Sequence, residues 1–260
     1  MPLLRRRTPP DGRRRIRWLV PGVLGALAFA TVGLWTAPRW LVPRIAARSR
    51  RCLYAVRTTE RVVALTLDDG PDPAHTPEIL ALLRAHGARA TFFLIAERVA
   101  GHEALVADVV AAGHELGNHL TRDEPSARLS AAAFEAAARE AGAVLARFAP
   151  VRWLRPGSGW YDATMLDTIE RLGYRCALGS VYPYDPHVPS SRFAAAYVLA
   201  NARPGAVVVL HEGGARGRRT LETLRRVLPA LRARGYRVVT LSELGDSGSG
   251  APGRTDAPRP

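Results

Sequence analysis

The sequence predicts an α/β fold, an incomplete (β/α) barrel of about seven parallel strands that is preceded by one N-terminal transmembrane helix. Three observations support this prediction. Short apolar β-rich runs alternate with amphipathic segments of helix length from residue 60 onward, the strands are apolar almost throughout, and a charge-free apolar stretch lies near the amino terminus. Alternation of strands and helices indicates parallel strands with helices outside. Strands with near-continuous apolar cores favour a barrel over an open sheet.

The amino-terminal segment predicts a single membrane anchor. Residues 1–17 contain seven arginines, and the run 18–37 that follows is free of charge. Twenty helical residues rise about 30 Å, which is the thickness of a bilayer core. Trp18, Trp35 and Trp40 stand where interfacial aromatic residues occur. The pattern therefore places the basic segment 1–17 in the cytoplasm and the chain beyond the anchor outside it.

A cleavable signal is the alternative to an anchor. Ala28 and Ala30 form an A-x-A cleavage pattern, and five arginines between residues 39 and 51 weaken the positive-inside contrast. The anchor is favoured because apolar residues continue past the cleavage pattern, whereas cleavage would give a secreted protein. The chain after residue 17 then divides into the anchor (or uncleaved signal) 18–37, a linker 38–58, one domain 59–244 and a disordered tail 245–260.

The basic character of the chain is local. The formal net charge is +14, but the first 51 residues hold twelve arginines against one aspartate and so carry +11 of that total. All basic residues are arginine, which indicates a compositional bias, and no nucleic-acid partner is expected. Cys52 and Cys176 are the only cysteines, and the sequence leaves open whether they form a disulfide or stay buried thiols.

Seven strands and six helices alternate along the domain. The predicted strands are Val62–Leu67, Ala90–Ile95, His114–Asn118, Arg152–Arg155, Arg175–Gly179, Ala206–Leu210 and Arg237–Leu241. The helical stretches between them are Pro77–His86, His102–Ala112, Ser130–Phe148, Ala163–Leu172, Ser190–Ala202 and Thr220–Arg234. Several of these helices begin with Ser, Thr or Pro and end at Gly, which are common boundary residues.

Ionisable residues gather where the strands end. Asp68 and Asp69 follow the first strand, His119 follows the third, Arg155 ends the fourth and His211 follows the sixth. The carboxyl ends of parallel strands lie on one side of a barrel or sheet, so these side chains should lie together. Adjacent carboxylates at a strand end diverge, so one can bind a metal ion while the other takes a proton from water. A turn with capping carboxylates is the structural alternative.

Four segments, taken together and in order, resemble the polysaccharide deacetylase family, the NodB-like carbohydrate esterases of family four. The chain reads T-L-D-D-G-P at 66–71, G-N-H-L-T-R-D at 117–123, R-P-G-S-G at 155–159 and L-H at 210–211. The family shows T-F-D-D-G-P, G-N-H-[ST]-x-x-H, R-P-P-[YF]-G and L-H. The resemblance covers about residues 61–244. It implies a metal-dependent hydrolase that removes N-acetyl groups from an amino-sugar polymer outside the cytoplasm.

The resemblance also implies a role for each residue that matches a motif. Asp69 and His119 resemble metal ligands, and Asp68 resembles the general base. Arg155 resembles the group that pairs with Asp68 and fixes its orientation. His211 resembles the general acid that protonates the departing amine.

Other matched positions imply contacts with the substrate or with His211. Ser158 would supply a backbone N–H to the oxyanion, and Leu210 would form part of a pocket for the acetyl methyl group. Trp160 would either restore an aromatic wall that the third motif has lost or pack in the interior. Asp185 would be the partner of His211.

The chain departs from the family at the third metal ligand. Asp123 stands where the family has its second ligating histidine, or Glu124 takes that place if one residue is inserted. Asp123 is favoured because the ungapped alignment keeps the distance from His119 to the helix that begins at Ser130. A set of Asp69, His119 and Asp123 would neutralise a divalent ion, so hard ions such as Mn²⁺ or Mg²⁺ would compete better with Zn²⁺. We therefore expect a divalent metal ion, Zn, Mn or Co.

The expected partners are an N-acetylated glycan, such as peptidoglycan or a chitin-like polymer, and the membrane through the N-terminal helix. The alternative is a metal-free or inactive family member that binds glycans as a surface module, since the later motifs are altered. Retention of Asp68, Asp69, Arg155 and His211 favours catalysis, because a binding module needs neither a base nor an acid. An amidase for a small cyclic amide or a lipid-linked sugar also stays open, as does the oligomeric state.

Overall fold

The structure is a computed structural model that describes residue 33 and residues 35–247. Residues 35–48 form helix α1. The predicted cytoplasmic segment 1–17 lies outside the described residues, and so does the predicted anchor 18–37 apart from residue 33 and the first residues of α1. Among the described residues, no helix is both long enough and apolar enough to cross a membrane.

Eight strands form one sheet in the described part of the chain, and every ladder in it is parallel. They are β1 Cys52–Leu53, β2 Val62–Gly70, β3 Thr91–Leu94, β4 Glu115–Asn118, β5 Trp153–Leu154, β6 Arg175–Ala177, β7 Val207–His211 and β8 Arg237–Val239. Their order is β1-β6-β5-β4-β3-β2-β7, and β8 pairs with the beginning of β2. All seven predicted strands are present. The sequence missed β1 because two residues carry no usable periodicity.

The sheet curves into a barrel that isolated bridges close, one of them an antiparallel bridge between Ala55 and Ala206. Strand β2 pairs with β3 and with β7, and all nine of its residues are buried. Beyond the end of β6, Val181 pairs with Val208 of β7 through one isolated bridge, and Val209 N donates to the carbonyl of Val181 at 3.0 Å. Strand β1 pairs with β6 on the side opposite to β5. The predicted incomplete barrel of parallel strands is confirmed.

Helices cover the barrel in the order that the sequence predicts. After α1 they are α2 Thr76–Ala85, α3 Glu103–Ala111, α4 Ala131–Leu145, α5 Ala163–Arg171, α6 Ser191–Asn201, α7 Ala215–Ala233 and α8 Leu241–Ser247. Short 3-10 turns lie at Ala96–Arg98, Ser126–Arg128 and Gly157–Gly159. The side chains of Ser130 and Ser190 accept hydrogen bonds from the N–H groups three residues on, which fixes the starts of α4 and α6. Helix α8 includes the first three residues of the predicted tail 245–260, and the rest of that tail lies outside the described residues.

The segment 38–58, predicted to be a linker, carries regular structure. Trp35 in α1 packs edge-on against Phe193 and Tyr197 of α6, with ring centroids 5.4 and 5.3 Å apart. The side-chain amide of Asn201 donates to the carbonyl of Trp35 at 3.0 Å. These contacts fix α1 against α6, and β1 extends the sheet. The folded body therefore begins before the predicted domain boundary.

Cys52 and Cys176 lie opposite each other on β1 and β6. Both are buried, and both are free thiols. They belong to one apolar cluster with Leu154 and Met165. Of the two alternatives that the sequence leaves open, the structure shows the buried thiols.

Candidate active site

A cleft of about 820 Å³ opens at the carboxyl ends of the strands. The strand-end residues identified in the sequence line it, together with rim residues from the loops after β4 and β5 and from α7. These residues include Asp68, Asp69, His119, Asp123, Arg155, Ser158, Trp160, His211 and Arg216. The prediction that the carboxyl ends of the parallel strands bring these groups together is confirmed.

The end of β2 directs two adjacent carboxylates to different partners. The pairing of β2 with β3 shifts its register between Asp68 and Gly70. Asp69 has a φ of 67°, in the left-handed region that Asp adopts more readily than most residues. Both carboxylates are buried, and Asp68 pairs with Arg155 while Asp69 pairs with His119. The predicted divergence of the two side chains is therefore present.

Arg155 holds Asp68 in place. Its Nη1 donates to Asp68 Oδ1 at 2.5 Å and to the Thr66 hydroxyl at 2.8 Å, and its Nε donates to the carbonyl of Ala177 at 2.8 Å. The guanidinium carbon lies 4.1 Å from the centroid of the Phe93 ring, a cation–π contact. A buried charge with this many anchors has one orientation, so Asp68 has one as well.

His119 faces Asp69 through its Nε2 atom. The Nδ1 atom donates to the carbonyl of Arg155 at 2.7 Å, which leaves Nε2 at 3.3 Å from Asp69 Oδ1. A carbonyl that holds one ring nitrogen in this way commonly supports a metal-binding histidine. Burial by itself raises the pKa of Asp69, but the hydrogen bond from His119 and the nearby charges of His211 and Arg216 outweigh it and hold the pKa below its usual range.

His211 faces the same cleft from the end of β7. Its Nδ1 lies 3.0 Å from Asp185 Oδ2, and its backbone N–H donates to the same oxygen at 3.0 Å. Its Nε2 lies 4.0 Å from Asp68 Oδ2. Burial by itself lowers the pKa of His211, but the hydrogen bond to Asp185 and the charges of Asp185, Asp68 and Asp69 together outweigh burial and raise the pKa above its ordinary value. The predicted pairing of Asp185 with His211 is present.

The predicted substrate-binding residues have different outcomes. Ser158 and Trp160 line the cleft, and Trp160 is 66% exposed, so its interior-packing alternative is excluded. The prediction for Leu210 is wrong, because its side chain is fully buried in the main apolar core. Successive residues of a strand point to opposite faces, so Val209 lines the cleft beside His211 while Leu210 points away.

Asp123 lies at the rim of the cleft with arginine partners. Its Oδ2 atom accepts from Arg98 Nη2 at 3.1 Å and from Arg216 Nη2 at 3.0 Å. The side chain of Asp123 is 43% exposed. Its carboxylate is thus shared between two guanidinium groups.

Comparison with known proteins identifies the family. The family model described as polysaccharide deacetylase matches residues 55–177. A peptidoglycan-N-acetylglucosamine deacetylase of Bacillus cereus is 36% identical over 194 residues, which cover 74% of this chain and 91% of that protein. The chain belongs to the polysaccharide deacetylase family. It is accordingly a hydrolase that acts on amide bonds. A chitooligosaccharide deacetylase of Bradyrhizobium sp. is 32% identical over 212 residues, with 74% and 97% of the two chains covered.

Solved structures of this family share the fold of the polysaccharide deacetylase chain. A peptidoglycan N-acetylglucosamine deacetylase superposes with a TM-score of 0.71 at 28% identity, covering 76% of this chain and 94% of that one. A family 4 acetyl xylan esterase from Clostridium thermocellum in complex with a cobalt ion has a TM-score of 0.66 at 29% identity, covering 71% and 90%. A mutant of a family pseudoenzyme with restored activity has a TM-score of 0.68 at 26% identity, covering 75% and 71%.

The predicted metal ligands of this polysaccharide deacetylase do not form a three-ligand site. Asp69 and His119 converge, but arginines hold the carboxylate of Asp123. Across residue 33 and residues 35–247, no three His, Cys, Asp or Glu side chains are grouped so that they could hold a metal ion. Glu124, the alternative third ligand, therefore does not complete the set either. The prediction that Asp123 completes the ligand set is wrong for this arrangement. The residues present do not fit a divalent ion.

Arg98 and Arg216 contact the site but carry no signal in the deacetylase motifs. Arg98 lies on the 3-10 turn after β3, and Arg216 is the second residue of α7. One signal for them is the glycine pair after Glu212. A Cβ atom on Gly213 would lie 2.3 Å from Arg98 Nη1 and 2.7 Å from the carbonyl oxygen of Asp69. Glycine at this position therefore makes room for Arg98 beside Asp69.

Proposed function

We propose that the protein hydrolyses N-acetyl groups of an amino-sugar polymer, peptidoglycan or a chitin-like polymer, and releases acetate. The observation that carries this proposal is the pair Asp68 and His211. The two side chains face each other across the cleft, with His211 Nε2 at 4.0 Å from Asp68 Oδ2, and each has a partner of its own behind it. The relatives named as deacetylases of peptidoglycan and of chitooligosaccharides support this substrate class.

Asp68 takes the role of general base. Its carboxylate, oriented by Arg155, accepts a proton from a water molecule that attacks the amide carbonyl. The planar guanidinium group of Arg155 keeps the carboxylate of Asp68 aimed into the cleft. Arg155 does not itself exchange a proton.

His211 takes the role of general acid. Asp185 accepts a hydrogen bond from the Nδ1–H group and fixes the ring, so Nε2 points into the cleft where the leaving nitrogen would lie. Because Asp185 raises the pKa of His211, the imidazole holds its proton to a higher pH than an ordinary histidine. Protonation of the amine completes cleavage of the C–N bond and leaves acetate and a free amino sugar.

The rim of the cleft suits a sugar ring. Trp160 is largely exposed and presents an aromatic face against which the apolar side of a pyranose can pack. The Tyr161 hydroxyl lies 2.8 Å from that of Tyr54, which joins this rim to the segment after α1. Val209 lies deeper in the cleft beside His211 and offers an apolar contact for an acetyl methyl group.

Acetate release from defined polymers tests the proposal. The full-length protein, with and without added Zn²⁺, Mn²⁺ or Co²⁺, is incubated with peptidoglycan, chitin oligomers and secondary wall polymers. We expect acetate from at least one of them, released at least about a hundredfold more slowly by the Asp68→Asn variant. Binding to a glycan without acetate release under any of these conditions would favour the second candidate, a surface module that binds glycans without turnover. The arginine partners of Asp123 are the observation that favours this second candidate.

We also propose that the catalytic domain lies on the extracytoplasmic face of the membrane, held by the predicted anchor 18–37. Support comes from the arginine-rich segment 1–17 and from α1, which exposes Trp40, Leu41 and Ile45 next to arginines. Such a face suits a membrane interface. Protease added to intact cells should degrade the domain and spare residues 1–17. A mature protein that begins at Thr31 would show cleavage and release instead.

A further inference from the structure

Three acidic side chains of the cleft, Asp68, Asp69 and Asp123, each have an arginine partner. Asp68 pairs with Arg155, and Asp69 Oδ2 lies 2.9 Å from Arg216 Nη1. Asp123 pairs with Arg216, and it pairs with Arg98 as well. The carboxylates that a divalent ion would have to neutralise are thus already neutralised by the protein's own cations.

Arg216 spans the two acids with the two nitrogens of one guanidinium group. Nη1 meets Asp69 and Nη2 meets Asp123, at 2.9 and 3.0 Å. The Nε atom donates to the carbonyl of Gly213 at 3.3 Å, so all three nitrogens have partners. The planar fork of arginine suits such a two-point contact. The side chain is 26% exposed, so the contact with the buried Asp69 is partly shielded from water.

We propose that Arg216 is the resident cation of this site: it occupies the carboxylates of Asp69 and Asp123 in place of a divalent metal ion and opposes the binding of such an ion. A metal ion held by Asp69 would lie next to this guanidinium group, and like charges at such distances repel strongly. The ion would also find Asp123 already bound on two sides. Metal and Arg216 are therefore competitors for the same carboxylates.

The competition makes Arg216 the main determinant of metal affinity. Removing its charge frees Asp69 and one side of Asp123, and it leaves the Asp69–His119 pair for the ion. Arg98 has a smaller effect, because its contacts are the carboxylate of Asp123 and the backbone carbonyl of Asp69. This inference concerns metal binding alone, so it stands apart from the proposed deacetylation.

Metal titration of the full-length protein tests the proposal. CoCl₂ binding is followed by the visible absorption of the bound ion and ZnCl₂ binding by calorimetry, both without substrate. We expect Arg216→Gln to bind Co²⁺ and Zn²⁺ at least about tenfold more tightly than the unchanged protein. Arg218→Gln is the matched control, because it removes the same charge from the same helix but from an exposed residue that pairs, within the described part of the chain, with Glu222 at 3.4 Å. It should leave metal affinity unchanged.

Asp123→Asn provides a second and independent test. If Arg216 is the competitor, this change removes one of the two acids that hold it, and metal affinity stays the same or rises. If Asp123 is a metal ligand instead, affinity falls by about tenfold or more, which would overturn the proposal. Equal affinity in Arg216→Gln and the unchanged protein would overturn it as well. Circular dichroism of each variant confirms that the fold is intact before titration.

Discussion

Asp68→Asn should lower the rate of acetate release by at least about a hundredfold, since removing a general base typically has an effect of this size. The amide oxygen can still accept the hydrogen bond from Arg155, so the cleft keeps its shape. It cannot take a proton from water. The rate of acetate release and glycan affinity are measured on the same preparation, and glycan affinity should change little. Unchanged turnover would remove Asp68 as the base.

The same variant should also be less stable. Arg155 is buried and pairs with Asp68, and the neutral amide leaves its charge without a counter-ion. Loss of one member of a buried ion pair destabilises strongly, and we expect on the order of 2–4 kcal/mol of unfolding free energy, measured by urea denaturation. Asp167→Asn is the matched control, because that carboxylate pairs with Arg51 on the surface and its side chain is 70% exposed. It should change neither turnover nor stability appreciably.

His211→Ala should resemble Asp68→Asn in turnover but differ in stability. The acid is lost, so the leaving amine departs unprotonated and acetate release falls by a similar factor. In this variant the carboxylate of Asp185 loses the ring Nδ1 but still accepts a hydrogen bond from the backbone N–H of residue 211. We therefore expect a smaller loss of stability than in Asp68→Asn. Acetate release and urea denaturation of the two variants, measured side by side, therefore separate the loss of a catalytic group from the loss of stability.

The sequence predicts the placement of the base and the acid because both depend on strand ends. Apolar runs mark the strands, the strands are parallel, and whatever follows them meets at one end of the barrel. Strand alternation also carries the information that Leu210 and His211 point to opposite faces. The residue that accompanies His211 into the cleft is therefore two positions earlier, at Val209.

The arginine partners of Asp123 could not be predicted from strand ends. Its partners Arg98 and Arg216 lie 25 and 93 residues away along the chain, on separate elements. A motif reports which residue type stands at a position and how far it is from the next one. It does not report which cation a distant helix brings to that residue. The prediction of Asp123 as a metal ligand is wrong for this reason. The predicted pair of Asp68 and Arg155 is present because both residues lie at strand ends, which the sequence does locate.

The second large effect that we expect is a dependence of the unfolding free energy on pH, and Glu212 causes it. Its side chain is fully buried, and Oε2 accepts from the Thr76 hydroxyl at 3.2 Å, while Oε1 has no hydrogen-bond partner among the described residues. Oε1 packs against Gly70, where a Cβ atom would lie only 1.7 Å away. Burial raises the pKa of Glu212 to about 8, and the neighbouring carboxylates, Asp72 first among them, act in the same direction. The folded protein therefore keeps this carboxyl group protonated near neutral pH.

Glu212→Gln should remove a loss of stability that the unchanged protein suffers as pH rises. The unfolded chain releases the Glu212 proton near pH 4.3, whereas the folded protein holds it to about pH 8. Between these values the folded state binds more protons, so the free energy of unfolding falls with rising pH. Glutamine resembles the protonated acid in shape and cannot ionise. We expect similar stability of the two proteins at pH 5 and an advantage of roughly 2–4 kcal/mol for the variant at pH 9, from urea denaturation across this range.

The control is Glu78→Gln, an exposed residue of α2 that pairs with Arg225 at 3.3 Å, which should leave the pH profile unchanged. Parallel pH profiles for Glu212→Gln and the unchanged protein would show that Glu212 is ionised in the folded state.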